Sequence, residues 1–108
     1  MGPLEGFRIL DLSTMITGPM ATQMLAEQGA DVIRVEPVVP TDLLRDIGPE
    51  RGGVSAIQMN VNRAKRSLAI DLKNEQARAA FEKLVATADV MLQNFRPGTA
   101  ERLGLGYE

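Results

Sequence analysis

The chain has 108 residues, 44% hydrophobic and 24% charged, enough for one modest hydrophobic core in a soluble globular domain. A net charge of −2 and a pI near 5.2 argue against a generally basic nucleic-acid surface. With neither Cys nor His, the chain holds no disulfide, no thiolate chemistry, no imidazole zinc site and no Ser-His triad.

Phe7-Arg8-Ile9-Leu10-Asp11-Leu12 reads as a first strand, short, apolar and free of breakers. Ser13 to Gly18 reads as a loop, and Pro19 suits the first position of a helix. Met20, Ala21, Met24, Leu25 and Gln28 form the expected one-sided stripe of that helix, and Gly29 its left-handed cap. Val32 to Val35 is a second strand ending at Glu36-Pro37. From Pro37 to Lys65 the chain is rich in Pro and Gly, an excursion with a short helical turn expected around Ser55 to Asn60. Ser67 to Leu72 reads as a third strand, Asn74 as an N-cap, and Ala77, Ala80, Phe81, Leu84, Val85 and Ala88 as one helix face. Asp89 to Gln93 is a fourth strand, and Gly98 to Leu103 a short helix. Each half is strand, helix, strand, so the expected fold is α/β: a Rossmann-like parallel sheet built from two βαβ units, part of a larger domain.

No apolar run approaches the roughly 20 residues needed to cross a bilayer. The N-terminus does not read as a signal peptide, and the absence of Cys fits a cytoplasmic setting.

In open parallel sheets, ligands bind beyond the carboxyl ends of the strands. Asn94-Phe95-Arg96-Pro97-Gly98 stands at such an end, and its amide, ring and guanidinium suit an anionic, ring-bearing ligand. The first strand-to-helix loop lacks Gly-x-Gly-x-x-Gly, so Glu36, placed like a ribose-binding acid, is a weak dinucleotide signal. Arg63, Lys65 and Arg66, followed by Lys73, read either as an anion site or as a solvated strand entrance. Asp11 and Asp71, inside strands, and Asp31 and Asp89, at strand starts away from the ligand end, are expected to be structural, and no two are placed as an acid/base pair.

Together these segments resemble the N-terminal part of class III CoA-transferases, a family that includes formyl-CoA and carnitine CoA-transferases and α-methylacyl-CoA racemase. The matching pieces are 4–13, 18–26, 29–37, 62–67, 71–73, 94–98 and 102–106, in order along nearly the whole chain. The resemblance implies that 1–108 is the N-terminal part of a CoA-binding Rossmann-like large domain, the rest of the architecture being absent. It implies coenzyme A as substrate or acyl carrier and no metal. It also implies a CoA thioester and a carboxylic acid as partners, an interlocked homodimer, and neither nucleic acid nor membrane.

By the same resemblance, Met15, Ile16 and Thr17 match first-loop contacts to the nucleotide. Ile70, Asp71, Leu72 and Lys73 match a strand-end segment beside CoA, and Asn94, Phe95, Arg96 and Arg102 the next contact group. No residue matches the family's Asp nucleophile or the racemases' His/Asp pair, so the expected role is part of a CoA site without the nucleophile. A racemase fragment and a non-catalytic nucleotide-binding module are the alternative readings. Pro37 stands where several members carry an Arg, Ala64 where Asn or Gly is frequent, and Gln93 where Glu is frequent.

Overall fold

The computed structural model describes residues 2–38, 50–51 and 54–105. Of the Pro- and Gly-rich excursion, Pro40, Gly48, Pro49, Gly52 and Gly53 lie outside those residues. In chain order the elements are β1 (Arg8–Asp11), α1 (Thr17–Glu27), β2 (Asp31–Glu36), β3 (Glu50–Arg51), β4 (Val54–Ser55) and α2 (Ala56–Asn62). They continue with β5 (Arg66–Ala69), α3 (Glu75–Val85), β6 (Val90–Leu92) and α4 (Thr99–Arg102).

Four strands pair in parallel in the order β5-β2-β1-β6, while β3 and β4 form a separate antiparallel pair. The sheet grows from β1 through β2 to β5, then reverses and adds β6 on the other side of β1. That reversal makes the carboxyl ends of β1 and β6 a topological switch point, the usual crevice of doubly wound sheets. The expected second unit, β5–α3–β6, therefore spans the sheet, with its two strands at opposite edges.

Alternation along β1 sends successive side chains to opposite faces. Ile9 joins Val32, Ala26 and Ala30 in a small cluster beneath α1. Leu10 and Leu12 join Ile33, Val35 and Phe81 in the larger cluster on the α3 side. Phe81 is fully buried there, and truncating such a ring to Ala costs about 3–5 kcal/mol. Asn74 caps α3 as expected, its Oδ1 accepting from Gln76 N and Ala77 N at 3.0 Å, a cap worth about 1 kcal/mol.

Helix α1 departs from the expected reading. It begins at Thr17 rather than Pro19, which is tolerated because the first four helical N–H groups have no intrahelical acceptor anyway. It also turns the other way. Met20 and Met24 are 44% and 55% exposed, and Gly18, Pro19, Thr22, Gln23 and Ala26 are buried instead. The cause is the polar residue beneath: Asp11 points to this face, and the Thr22 hydroxyl answers it at 2.7 Å. Close approach needs Gly18, since a Cβ there would lie 2.4 Å from the Ser13 Cβ.

The third strand is shorter than expected, β5 ending at Ala69, although Ile70 N still donates to Glu36 O at 2.9 Å. The helical turn expected near Ser55 to Asn60 is α2. Among the described residues no helix is long and apolar enough to cross a membrane.

Candidate functional site at the carboxyl rim of the sheet

Beyond the carboxyl ends of β1, β2 and β5 lies a cleft of about 540 Å³, within the range of small-molecule and cofactor sites. Leu12, Val35, Pro37, Val38, Ile70, Leu72, Phe95 and Leu103 give it mainly apolar walls. Ser13, Thr14, Arg34, Glu36, Asp71 and Lys73 supply the polar groups. Such a lining can stack a planar ring and hold an anion at its edge. Lys73 is exposed and makes no ion pair among the described residues. Its turn is fixed by Asp71, whose Oδ1 accepts from Lys73 N at 3.0 Å.

Of the residues singled out from the sequence, the fold brings Ile70, Asp71, Leu72, Lys73 and Phe95 to this one cleft. Met15, Ile16, Thr17, Asn94, Arg96 and Arg102 lie outside its lining. The Asn94 amide is engaged with backbone: Oδ1 accepts from Thr14 N at 3.0 Å, and Nδ2 donates to Thr14 O at 2.8 Å. It staples the first strand-end loop to the end of β6 across the switch point. Gln93 Oε1 accepts from Phe95 N at 2.7 Å, shaping the turn that sends the Phe95 ring against the core. Arg102 Nη2 donates to Thr99 Oγ1 within its own short helix at 3.1 Å.

Sequence reasoning did not single out Leu12, Arg34, Val35 or Val38 as cleft residues, and it met Ser13 and Thr14 only as part of the first strand-to-helix loop. The signal was present for most of them, because they end β1 and β2 as Ile70 to Lys73 follow β5. Arg34 carried a second signal, a cation inside an otherwise apolar strand.

Beneath α1, next to the cleft, sits a buried ion pair. Lys65 Nζ lies 2.8 Å from Asp11 Oδ2, with side-chain exposures of 1% and 0%. Lys65 Nζ also donates to Pro19 O at 2.9 Å and Asn62 Oδ1 at 2.8 Å. Asp11 accepts from Ser13 N at 2.9 Å, from the Ser13 hydroxyl, and from Thr22 Oγ1. Burial alone would raise the Asp11 carboxyl, but these hydrogen bonds and the ammonium hold it below its ordinary value. Burial lowers the Lys65 ammonium, with the nearby Arg34 adding to the effect, and Asp11 offsets only part of it.

This geometry corrects the reading of the basic run as an anion site. Lys65 is internal and paired. Arg63 pairs with Glu27 at 2.7 Å, and Arg66 with Asp31 at 2.7 Å. Asp31 also takes Arg8 Nε at 3.0 Å; burial opposes its ionisation, but the Arg66 and Arg8 guanidiniums together hold its carboxyl below the ordinary value. Asp89 Oδ2 accepts from Arg8 N at 2.9 Å. Asp11, Asp31 and Asp89 are thus structural, as expected.

Comparison with known proteins adds a consistent relationship. The profile of CoA-transferase family III matches residues 4–108. Acetyl-CoA:oxalate CoA-transferase of Acetobacter aceti is 42% identical over 107 residues, covering 99% of this chain and 28% of that protein. Human succinyl-CoA:glutarate CoA-transferase is 41% identical over 107 residues, 98% of this chain and 24% of that protein. The crystal structure of Rv3272 from Mycobacterium tuberculosis superposes with a TM-score of 0.89 at 43% identity, covering 99% of this chain and 29% of that one. The chain therefore spans under a third of the length of these relatives.

Proposed function

The chain belongs to CoA-transferase family III, and from that premise we propose that residues 1–108 build part of the coenzyme A site of an acyl-CoA:carboxylate CoA-transferase. The observation that carries the reading is the mainly apolar cleft at the carboxyl rim, with Lys73 exposed in its lining. Its apolar walls suit an adenine ring, and an exposed ammonium suits a phosphate. In this reading Ile70, Asp71, Leu72 and Lys73 form one wall and Phe95 the opposite shoulder. Met15, Ile16 and Thr17 flank the site at the start of α1. Asn94 shapes the rim, and Arg96 before α4 and Arg102 at its end supply positive charge. The same reading takes a CoA thioester and a carboxylic acid as substrates and a homodimer as the assembly. The part assigned to these residues is to bind and orient; none of them is assigned as the nucleophile.

Calorimetric titration with CoA tests the proposal. Removing a charge-assisted phosphate contact costs about 1.5–3 kcal/mol, so Lys73→Ala is expected to weaken CoA binding by about tenfold or more. Arg102→Ala, outside the cleft lining, is expected to have a smaller effect. Unchanged affinity in both variants refutes the site.

A further inference from the structure

The Lys65–Asp11 pair joins residues 54 positions apart and is not a ligand contact in the reading above. A buried ion pair roughly breaks even against well-packed apolar residues of similar volume, because desolvation consumes the Coulombic gain. Net stability therefore does not account for it. Its connections do. Asp11 holds the amide and hydroxyl of Ser13, and Arg34 Nη1 donates to Ser13 O at 3.2 Å. Thr14 is gripped by Asn94 at both its N–H and its C=O. On its other side, Lys65 ties the start of α1 at Pro19 to the end of α2 at Asn62. The next loop residue, Met15, stands at φ 66, a backbone region that a non-glycine residue keeps only when its surroundings over-determine it.

We propose that the Lys65–Asp11 pair is a positioning latch: it fixes Ser13 and Thr14 as a preformed wall of the cleft and acts on ligand affinity, not on net stability. Its effect on affinity rests on the coenzyme reading of the cleft; its effect on the loop does not. Neither residue lines the cleft. Both act through Ser13.

The test replaces both charges at once, Asp11→Asn with Lys65→Met, which keeps the volume but leaves Ser13 N only a neutral amide oxygen, a weaker acceptor than the carboxylate, and cuts the Lys65 ties to Pro19 and Asn62. The double variant is expected to fold with a melting temperature within about 5 °C of the parent, a change of about 1 kcal/mol or less. Amide exchange at Ser13 and Thr14 is expected to quicken by about tenfold, with the amides of Val32 to Val35 unchanged. CoA affinity is expected to fall by about tenfold or more, since loosening a binding wall by an ångström is enough for such a loss. Parental exchange at Ser13 and Thr14, or parental affinity in the folded double variant, overturns the latch. So does a double variant that cannot fold, because the pair would then be serving stability. A parent chain that binds no CoA refutes the coenzyme reading instead, and the exchange measurement still decides whether the latch exists.

Discussion

Ala64 offers a substitution whose sign and size follow from backbone geometry. It stands at φ 65, in the left-handed region that costs an L-residue with a Cβ about 1–2 kcal/mol. The chain has no choice there. Arg63 N donates to Gln23 Oε1 at 3.1 Å and its guanidinium pairs with Glu27, while Lys65 is locked to Asp11. With both neighbours fixed, residue 64 absorbs the turn. Its side chain is exposed, so a larger residue meets no packing penalty. Asn tolerates this region far better than Ala, and Ala64→Asn is expected to stabilise the fold by about 1 kcal/mol. Gly removes the strain entirely but loosens the unfolded chain, which returns about 0.4–1 kcal/mol, so Ala64→Gly should gain less. Val, branched at Cβ, should lose stability. Urea denaturation monitored by circular dichroism reads the series, with m expected to stay constant. The order Asn, Gly, Ala, Val is the expected result. An Asn variant no more stable than the parent refutes the claim that backbone strain is stored at this turn.

Other outcomes follow from the same contacts. Lys65→Met alone strands a fully buried carboxylate and should cost about 3–5 kcal/mol in urea denaturation; a loss below about 1 kcal/mol contradicts the buried pair. Asn94→Ala removes two hydrogen bonds to the Thr14 backbone at an exposed site and should cost about 1–2 kcal/mol, with faster amide exchange at Thr14; exchange unchanged at Thr14 refutes the staple. Asp11 and Asp31 are both held below the ordinary aspartate value of 3.8. A depressed carboxyl lends stability that is complete above its unfolded value and is lost as pH falls through its folded one. Stability should therefore fall from about pH 4 downward, and less steeply in the Asp11→Asn/Lys65→Met double variant; an identical acid slope in the two proteins refutes the assignment to Asp11.

The parallel sheet was legible because its four strands are short, apolar runs bounded by helices with readable ends, such as Asn74 and Gly29. Residues 70–73 were singled out through the family resemblance, not from local pattern, which ran the third strand through Leu72; the strand in fact ends at Ala69, which leaves 70–73 at the crevice. The face of α1 was not. Periodicity marks Met20 and Met24 as core, yet the helix turns toward Asp11, and one buried carboxylate outweighs two thioethers because an unanswered charge costs far more than exposed methionine. The fate of Arg63, Lys65 and Arg66 was hidden likewise. Their partners, Glu27, Asp11 and Asp31, come from other elements, and no local pattern reports a pairing across 35 to 54 positions. Asn94 read as a ligand contact because an amide at a strand end can serve either a ligand or a loop, and only the sheet order shows that Thr14 is its neighbour.

The most direct measurement is amide chemical-shift mapping during titration with CoA. The account predicts shifts concentrated at Ser13, Thr14, Glu36, Val38, Ile70 to Lys73 and Phe95, with the outer face of α1 around Met20 and Met24 unmoved. Shifts gathered on that outer face with the strand ends silent, or no shifts at saturating CoA, would contradict it.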